Sequence, residues 1–196
     1  MKRKTDKYEQ ILTAAIRVFA DKGFSQSTIS QIAQEAGVAD GTIYLYFKNK
    51  DDILVQSYER MTDRASDRFW KAVAEGHTAV EKLHHLIHAH LDLFQNDPFG
   101  AVVFQSETHL QWRLVHEPIS RISKTYRDIV SQVVDLGQKQ GAIRNNLYVG
   151  LVKRLIFGAV DEVIDTWINT GMDHDLVSMA EPLVDLFIKG IGTAQG

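Results

Sequence analysis

The chain has 196 residues, of which 44% are apolar and 24% charged, and it contains no cysteine. This size suits one or two small domains with a real hydrophobic core. The lack of cysteine excludes disulfides and thiolate metal sites and favours a cytoplasmic location. Charged residues interrupt the N-terminal segment, and no stretch of about 18 uncharged apolar residues occurs, so we expect neither a signal peptide nor a membrane span.

The charge is distributed unevenly along the chain. Residues 1–50 hold eight Lys and Arg against five Asp and Glu, a net charge of +3, and the remainder holds 14 against 20, a net charge of -6. The whole chain carries -3. The asymmetry suggests that the first fifty residues face a polyanion, although an excess of this size is weak evidence by itself.

In the first quarter of the chain, hydrophobic residues recur at helical spacing. They predict a first helix that ends at Gly23, followed by a short helix that starts at Ser27 or Thr28 and ends at Gly37. A third helix is expected over residues 40–47. Asn49 is expected to cap a fourth helix, since a side-chain oxygen there accepts from an unpaired helical N–H.

The same spacing continues to the C-terminus, with a break near Gly76. We expect a helix ended by Asn96-Asp97-Pro98, a shorter one over about 99–110, and a long helix with Pro118 in its first turn. Helices over about 147–168 and 176–191 complete an all-α fold of about nine helices. The expected organisation is two domains, over residues 1–50 and 51–196.

The last two helices are apolar on more than one face. Leu151, Val152, Leu155 and Ile156 illustrate this in the helix at 147–168. A helix that is apolar nearly all round needs cover on two sides, and a second copy of the chain is the simplest cover for the outer side. We therefore expect a homodimer through the helices at about 147–168 and 176–191; a central position in a monomeric core is the alternative.

Residues 28–47 have the features of a helix-turn-helix. Ala33 is small where the two helices cross, Gly37 suits the turn, and Ile32, Val38 and Ile43 fill the angle between them. With Ile43 and Phe47 turned inward, the outward positions form a candidate DNA-binding face. Its members are Thr28, Ser30, Asp40, Gly41, Thr42, Tyr44, Tyr46 and Lys50.

These side chains suit a nucleic-acid surface. Hydroxyl groups and a lysine contact phosphate, and glycine allows close backbone approach. Asp40 is the exception, because a carboxylate repels phosphate. We favour a helix-capping role for Asp40; accepting a hydrogen bond from cytosine, or repelling non-specific DNA, are the alternatives.

Residues 5–54 resemble the DNA-binding domain of the TetR family of bacterial regulators. The resemblance is carried by Phe19-Ala-Asp-Lys-Gly-Phe24, by Ala36-Gly-Val38, and by Gly41-Thr-Ile-Tyr-Leu-Tyr-Phe-Lys-Asn-Lys50. It implies nine helices, a dimer through the last two, and a second motif helix that reads the major groove. The DNA-binding domain would then be residues 1–50, and residues 51–196 would be the effector-binding and dimerisation domain with its ligand cavity. Asp40 departs from the family pattern, in which a neutral or basic residue is more usual.

A narrower resemblance within that family rests on residues 37–54, on Ile156-Phe-Gly-Ala-Val-Asp-Glu162 and on Trp167. It implies a repressor of fatty-acid degradation genes that long-chain acyl-CoA releases from operator DNA. Such an effector needs an apolar tunnel with a cationic mouth. The candidate residues are Phe94, Val103, Phe104, Glu107, Trp112, Arg113, Arg121, Lys124, Tyr126 and Phe157. Ordinary core packing and a solvated cationic stripe are the alternatives.

Several histidines crowd one predicted helix. His84 and His88 are one turn apart, which is a metal-ligand spacing, and a metal-responsive regulator is therefore a second hypothesis. Leu83, Ile87 and Leu91 are expected to form the buried face of this helix, so exposure of the histidines to solvent is the simpler interpretation. We therefore expect no bound metal or other cofactor. An enzyme is not expected, because no nucleophile motif, phosphate loop or metal triad occurs.

Overall fold

The computed structural model describes residues 2–192, and for residues 2–5 and 107–109 it describes the backbone alone. Nine α-helices and one 3₁₀ helix account for nearly all of the part described, and the only pairing of strand type there is an isolated bridge between Ile143 and Gly192. The helices are α1 (Lys2–Lys22), α2 (Ile29–Glu35), α3 (Asp40–Ile43), α4 (Lys50–Glu75), α5 (Ala79–Gln95), α6 (Pro98–Leu110), α7 (Trp112–Lys139), α8 (Val149–Asn169) and α9 (Ala180–Ile191). The predicted all-α fold is confirmed.

Glycines and side-chain caps set most helix boundaries, as the sequence predicts. Gly23 and Gly37 follow the first two helices with φ of 74° and 61°, a left-handed conformation that glycine adopts without steric cost. Thr78 caps α5 and forms a capping box with Glu81. Asn49 accepts from the backbone N–H of Asp52 at 2.8 Å and so caps α4 as expected.

Three predicted boundaries differ from the structure. The third helix ends at Ile43 rather than at residue 47, because the next backbone N–H groups bond three residues back and tighten the chain into turns. The segment at 176–191 divides into a 3₁₀ helix over Leu176–Met179 and α9. The helix expected from residue 147 begins at Val149, with Tyr148 at its N-cap position.

Pro118 was expected in the first turn of its helix, and this is wrong. It lies inside α7, which begins at Trp112. The proline removes one backbone donor from the helix, at a cost in stability. The turns before it persist because Val115 and Ile119, one turn apart, are both buried in the same apolar core.

The chain forms two compact units. Unit 1 comprises the residues up to Asp63 together with Phe99–Ser120, and unit 2 comprises Arg64–Pro98 together with the residues from Arg121 onward. The predicted boundary at residue 50 marks the end of the DNA-binding motif, and as a division by function it stays a prediction. The compact unit continues to Asp63 because Ile53, Leu54 and Tyr58 are fully buried in its core.

Each unit has its own apolar core. In unit 1, α1 packs against α2 and α2 against α3, around Ile11, Leu12, Phe19, Ile32 and Ile43. In unit 2, α5 packs against α8, α9 and the 3₁₀ helix. No helix in the described residues is both long and apolar enough to cross a membrane.

Candidate DNA-binding face and effector site

The α2–α3 turn has the geometry of a helix-turn-helix. Ala33 and Ile43 are fully buried, and the Val38 N–H donates to the Ala33 carbonyl at 2.9 Å across the turn. Gly37, at positive φ, reverses the chain between the two helices. This packing turns the remaining residues of α3 and its following turns away from the core.

Most of the predicted DNA-binding residues are accessible. Thr28, Ser30, Asp40, Gly41 and Tyr44 are exposed, whereas Thr42, Tyr46 and Lys50 are half-buried. The structure therefore brings the predicted set to one unit and leaves five of its eight members on the surface. Contact of any of them with DNA stays a prediction.

Gly41 is not required by the packing of the protein itself. A Cβ atom added to Gly41 would meet no atom within 4 Å. A glycine inside a helix costs about 1 kcal/mol relative to alanine, so a helix selected for stability alone favours alanine here. The bare position is consistent with close approach by a partner backbone.

Asp40 does not cap α3, which corrects the favoured interpretation. Ala39 occupies the N-cap position without a side-chain hydrogen bond, and Asp40 lies in the first turn. The Asp40 carboxylate accepts instead from the Ser30 hydroxyl, so these side chains join α2 to α3. Because this bond uses the Ser30 proton, the expected donation from Ser30 to phosphate would require breaking it.

Thr28 starts α2 with a capping box. Its Oγ1 accepts from the Gln31 N–H at 3.3 Å, and the Gln31 side chain accepts from the Thr28 N–H at 3.0 Å. Accepting this bond leaves the Thr28 hydroxyl proton available for donation. The cap and the predicted phosphate contact are therefore compatible.

Lys50 is used within the protein. Its Nζ donates to the carbonyl oxygens of Phe24 at 2.6 Å, Ser27 at 2.7 Å and Ser25 at 3.4 Å. It also lies 4.5 Å from the centre of the Phe24 ring. The loop between α1 and α2 thus engages the Lys50 ammonium group, and a phosphate contact by Lys50 would compete with these bonds. Its contact with DNA stays a prediction.

Leu45 was missed by the sequence reasoning. It is 74% exposed and lies between Tyr44 and Tyr46 in the turns that follow α3. An exposed leucine beside an exposed tyrosine is suited to apolar contact with a thymine methyl group. The sequence analysis had predicted that the third helix continues to residue 47. In such a helix, the spacing of the apolar residues did not indicate that the Leu45 side chain is exposed.

In unit 2, five aromatic rings from four helices form a cluster, which we call the aromatic cluster; four of the rings are buried and Phe157 is half-buried. Its members are Phe69 of α4, His90 and Phe94 of α5, Tyr126 of α7 and Phe157 of α8. The Tyr126 ring centre lies 5.2 Å from that of His90, 5.3 Å from that of Phe157 and 5.5 Å from that of Phe69. The structure thus gathers three predicted effector residues, Phe94, Tyr126 and Phe157.

Two polar atoms inside the aromatic cluster lack partners. Within the described residues, His90 Nδ1 and the Tyr126 hydroxyl are buried without a hydrogen bond. Burial lowers the pKa of His90 to about 3 and raises that of Tyr126 above its usual value, so both groups are neutral near pH 7. His90 was not selected from the sequence, although its spacing from Leu83, Ile87 and Phe94 places it on the buried face.

The other apolar candidates belong to unit 1. Val103 is fully buried in the unit 1 core, and Phe104 stacks on Tyr58 with ring centres 5.7 Å apart. The Tyr58 hydroxyl donates to the Val103 carbonyl at 2.9 Å. These contacts are those of core residues, the alternative left open above. Trp112 is exposed beside His116.

The cationic candidates all lie on α7 and are exposed: Arg113, Arg121 and Lys124. Exposure suits both a cationic mouth and a solvated stripe, so the effector role stays a prediction. Glu107 lies on α6, but its side chain lies outside the described residues.

In the described residues, the histidine pair is not joined by a third possible metal ligand. His84 and His88 have ring centres 6.1 Å apart, but no group of three or more His, Cys, Asp or Glu able to hold a metal occurs in the part of the chain described. Burial and the neighbouring His88 lower the pKa of His84. A tetrahedral site needs three or four protein ligands, so a metal-responsive role would need ligands beyond this pair and stays a hypothesis.

Unit 2 exposes leucines on its last two helices. Leu151 and Leu155 of α8 and Leu186 of α9 are half or more exposed, whereas Val152, Ile156 and Val184 on the same helices are buried. Each helix therefore has one covered and one uncovered apolar side, as the sequence pattern indicates. An uncovered apolar surface of this kind marks an interface.

Comparison with known proteins defines the class. The family profile described as bacterial regulatory proteins, tetR family, matches residues 11–56, and the profile of the YsiA-like protein C-terminal region matches residues 58–190. The chain belongs to the TetR family of bacterial transcriptional regulators. This confirms the resemblance stated from the sequence and the expectation that the chain is not an enzyme.

Within the family, the chain is similar to regulators of fatty-acid metabolism. It is 39% identical to the fatty acid metabolism regulator protein of Bacillus subtilis over 97% of this chain and 98% of that protein. The structure of FadR from Bacillus halodurans, a fatty-acid degradation regulator, matches with a TM-score of 0.84 and 34% identity over 93% of this chain and 94% of that one. The structure of FadR from Bacillus subtilis in complex with stearoyl-CoA matches with a TM-score of 0.83 and 38% identity, over 94% of this chain and 99% of that one.

Proposed function

We propose that this protein is a homodimeric repressor of fatty-acid degradation genes, and that long-chain acyl-CoA releases it from operator DNA. The observation that carries the proposal is its similarity, along nearly the whole chain, to a regulator whose structure holds stearoyl-CoA. The helix-turn-helix in unit 1 and the aromatic cluster in unit 2 supply the two kinds of site that such a regulator needs. A DNA-binding role implies a cytoplasmic location.

The operator is bound by the outward side of α2 and α3 and the turns that follow. Thr28, Tyr44 and Tyr46 donate to phosphates, and Gly41 and Thr42 bring the backbone close to the bases. Ser30 and Asp40 hold α2 to α3 and lie within the same surface. Lys50 stabilises this surface indirectly, because its ammonium group donates to the Ser27 carbonyl in the loop before α2.

The effector is bound by unit 2. The alkyl chain is taken up among the apolar rings of the aromatic cluster, and Arg121 and Lys124 of the same unit meet the phosphates of the CoA moiety. Each buried CH₂ contributes about 0.8 kcal/mol. A long chain that is buried only in the DNA-free conformation therefore provides the roughly 5.5 kcal/mol of differential affinity that shifts a two-state equilibrium from 99:1 to 1:99.

Release follows from a population shift. Two recognition helices in a dimer bind successive major grooves, whose centres are about 34 Å apart. Acyl-CoA favours a conformation of the dimer in which that spacing no longer fits, and operator affinity falls. The exposed leucines of α8 and α9 form the dimer interface.

Fluorescence anisotropy tests the proposal with labelled DNA from upstream of this protein's own gene. We expect tight binding that micromolar palmitoyl- or stearoyl-CoA reverses, while free CoA and the free fatty acid leave it intact. Tight binding that ignores acyl-CoA would retain the repressor and reject the effector, and other hydrophobic compounds would then be screened. No binding to that DNA, at low salt and with a dimeric protein, would contradict the proposed operator.

A further inference from the structure

The aromatic cluster holds two polar groups that its own packing does not use. His90 is 6% exposed and Tyr126 is fully buried. The rings of Phe69 and Phe157 contact both, and the ring of Phe94 contacts His90. A buried polar group without a hydrogen bond costs about 1–3 kcal/mol. Phenylalanine at both positions would keep the volume and remove this cost. Packing therefore does not account for the two polar groups.

The two groups are adjacent and chemically complementary to one neutral oxygen. Their ring centres are 5.2 Å apart. A phenol donates one hydrogen bond, and a neutral imidazole donates one from the nitrogen that carries its proton. A carbonyl or hydroxyl oxygen between them can accept from both, whereas an alkyl chain can accept from neither.

The same surroundings exclude a charged oxygen. Burial lowers the pKa of His90 to about 3, so the ring carries no positive charge near neutral pH. A carboxylate among these rings would be a buried charge without a counter-ion, which is strongly unfavourable. The cluster therefore suits a ligand that is neutral at this point, as a thioester or an alcohol is and a free fatty acid is not.

We propose that His90 and Tyr126 bind a neutral oxygen function of the effector, a carbonyl or hydroxyl group attached to its alkyl chain, and thereby determine effector specificity. The inference rests on the proposed function, because it names the part of acyl-CoA that the aromatic cluster recognises. The oxygen comes either from the thioester or from a hydroxyl group along the chain.

The experiment compares three probes in the operator-release assay: stearoyl-CoA, the thioether S-octadecyl-CoA, and stearoyl-CoA with a mid-chain hydroxyl group. If the thioester is recognised, half-release by S-octadecyl-CoA needs about tenfold more probe than half-release by stearoyl-CoA. If a chain oxygen is recognised, the hydroxylated probe is about tenfold more potent than stearoyl-CoA. Either result supports the proposal provided that the variants below remove the preference.

Tyr126→Phe deletes a single oxygen and His90→Phe preserves an aromatic ring, so both variants should fold; circular dichroism checks this. In each, the preference between probes should fall to within about twofold. Tyr148→Phe makes the same change at an exposed tyrosine of unit 2 and should keep the parent's preference. Calorimetric titration of the probes without DNA provides an independent measure of the same ratios.

Two results would overturn the inference alone: a parent protein that responds equally to all three probes, or a Tyr126→Phe variant that retains the parent's preference. A parent that no probe releases from DNA would instead overturn the proposed function, and this inference with it. The two failures are distinguishable, because only the second abolishes the response to stearoyl-CoA.

Discussion

Tyr44 is the most exposed of the predicted DNA-contacting aromatic side chains, at 60%. Tyrosine at a solvated surface buries little and contributes little to the core, whereas its hydroxyl can donate to phosphate. The exposed Leu45 next to it adds an apolar group to the same surface. The combination is better suited to DNA than to water.

Replacing Tyr44 with alanine should weaken operator binding at physiological salt by about tenfold to a hundredfold. Anisotropy measures the affinity, and analytical ultracentrifugation should show an unchanged dimer. Tyr148→Ala, at an equally accessible tyrosine of unit 2, is the control and should bind as the parent does. Unchanged affinity in Tyr44→Ala would refute the assignment of this face.

His90 gives stability a definite pH dependence. Burial lowers its pKa from the ordinary 6.5 to about 3 in the folded chain, so between these pH values the unfolded chain binds a proton that the folded chain does not. The contribution of His90 to the free energy of unfolding is therefore fully present above pH 6.5. Between pH 6.5 and 3 it decreases by about 1.4 kcal/mol for each unit that the pH falls. Urea unfolding measures the decrease in the free energy of unfolding from pH 7 to pH 5. This decrease should be about 2 kcal/mol smaller in His90→Phe than in the parent, because the variant lacks the histidine.

The control for that measurement is His116→Phe, which changes an exposed histidine outside the aromatic cluster. It should retain the parent's pH dependence. If His90→Phe and the parent lose equal stability on acidification, His90 is not held neutral by burial.

At the scale of elements, unit 1 depends on links between helices that are distant in the chain. Lys50, at the start of α4, holds the loop between α1 and α2 through three carbonyl oxygens. Ser30 and Asp40 join α2 to α3. These hydrogen bonds hold the helix-turn-helix in place, in addition to the apolar core of unit 1.

Lys50→Met keeps the apolar part of the side chain and removes the ammonium group. We expect the free energy of unfolding to fall by about 2 kcal/mol, because the carbonyls of Phe24 and Ser27 lose a charged donor. Urea denaturation measures the loss. Lys48→Met, at an exposed neighbour, should change stability little. If Lys50→Met is as stable as Lys48→Met but binds the operator less tightly, Lys50 serves DNA and not the loop.

At the scale of the whole molecule, the uncovered leucines of unit 2 indicate assembly. Leu155 and Leu186 are 56% and 67% exposed, on two helices whose other sides are buried. A family member that recognises two half-sites needs two copies of its DNA-binding unit. The apolar surface of α8 and α9 provides the means to hold them together.

The double variant Leu155→Glu, Leu186→Glu should convert the protein to a monomer, because burying carboxylates in an apolar interface is unfavourable. Light scattering coupled to size-exclusion chromatography measures the mass, and operator affinity should fall with it. Leu110→Glu changes a similarly exposed leucine of unit 1 and should leave a dimer. A double variant that remains dimeric would place the interface elsewhere.

The helices, the helix-turn-helix and the family were all evident in the sequence, because each depends on residues close together in the chain. Apolar spacing, the turn at Gly37 and the caps at Thr28 and Asn49 act over a few residues, and local pattern reports them reliably. The uncovered side of α8 was also predictable, because a helix that is apolar nearly all round must be packed against other apolar surfaces on two sides.

The tertiary structure alone decided how several polar side chains are used. Lys50 bonds to residues 23 to 26 positions earlier, Ser30 to a residue ten positions later, and His90 meets rings from three other helices. Such pairings depend on where the chain returns after long separations, and no local period encodes that. The sequence showed which residues were available for DNA and effector, and the packing decided which of them were already engaged within the protein.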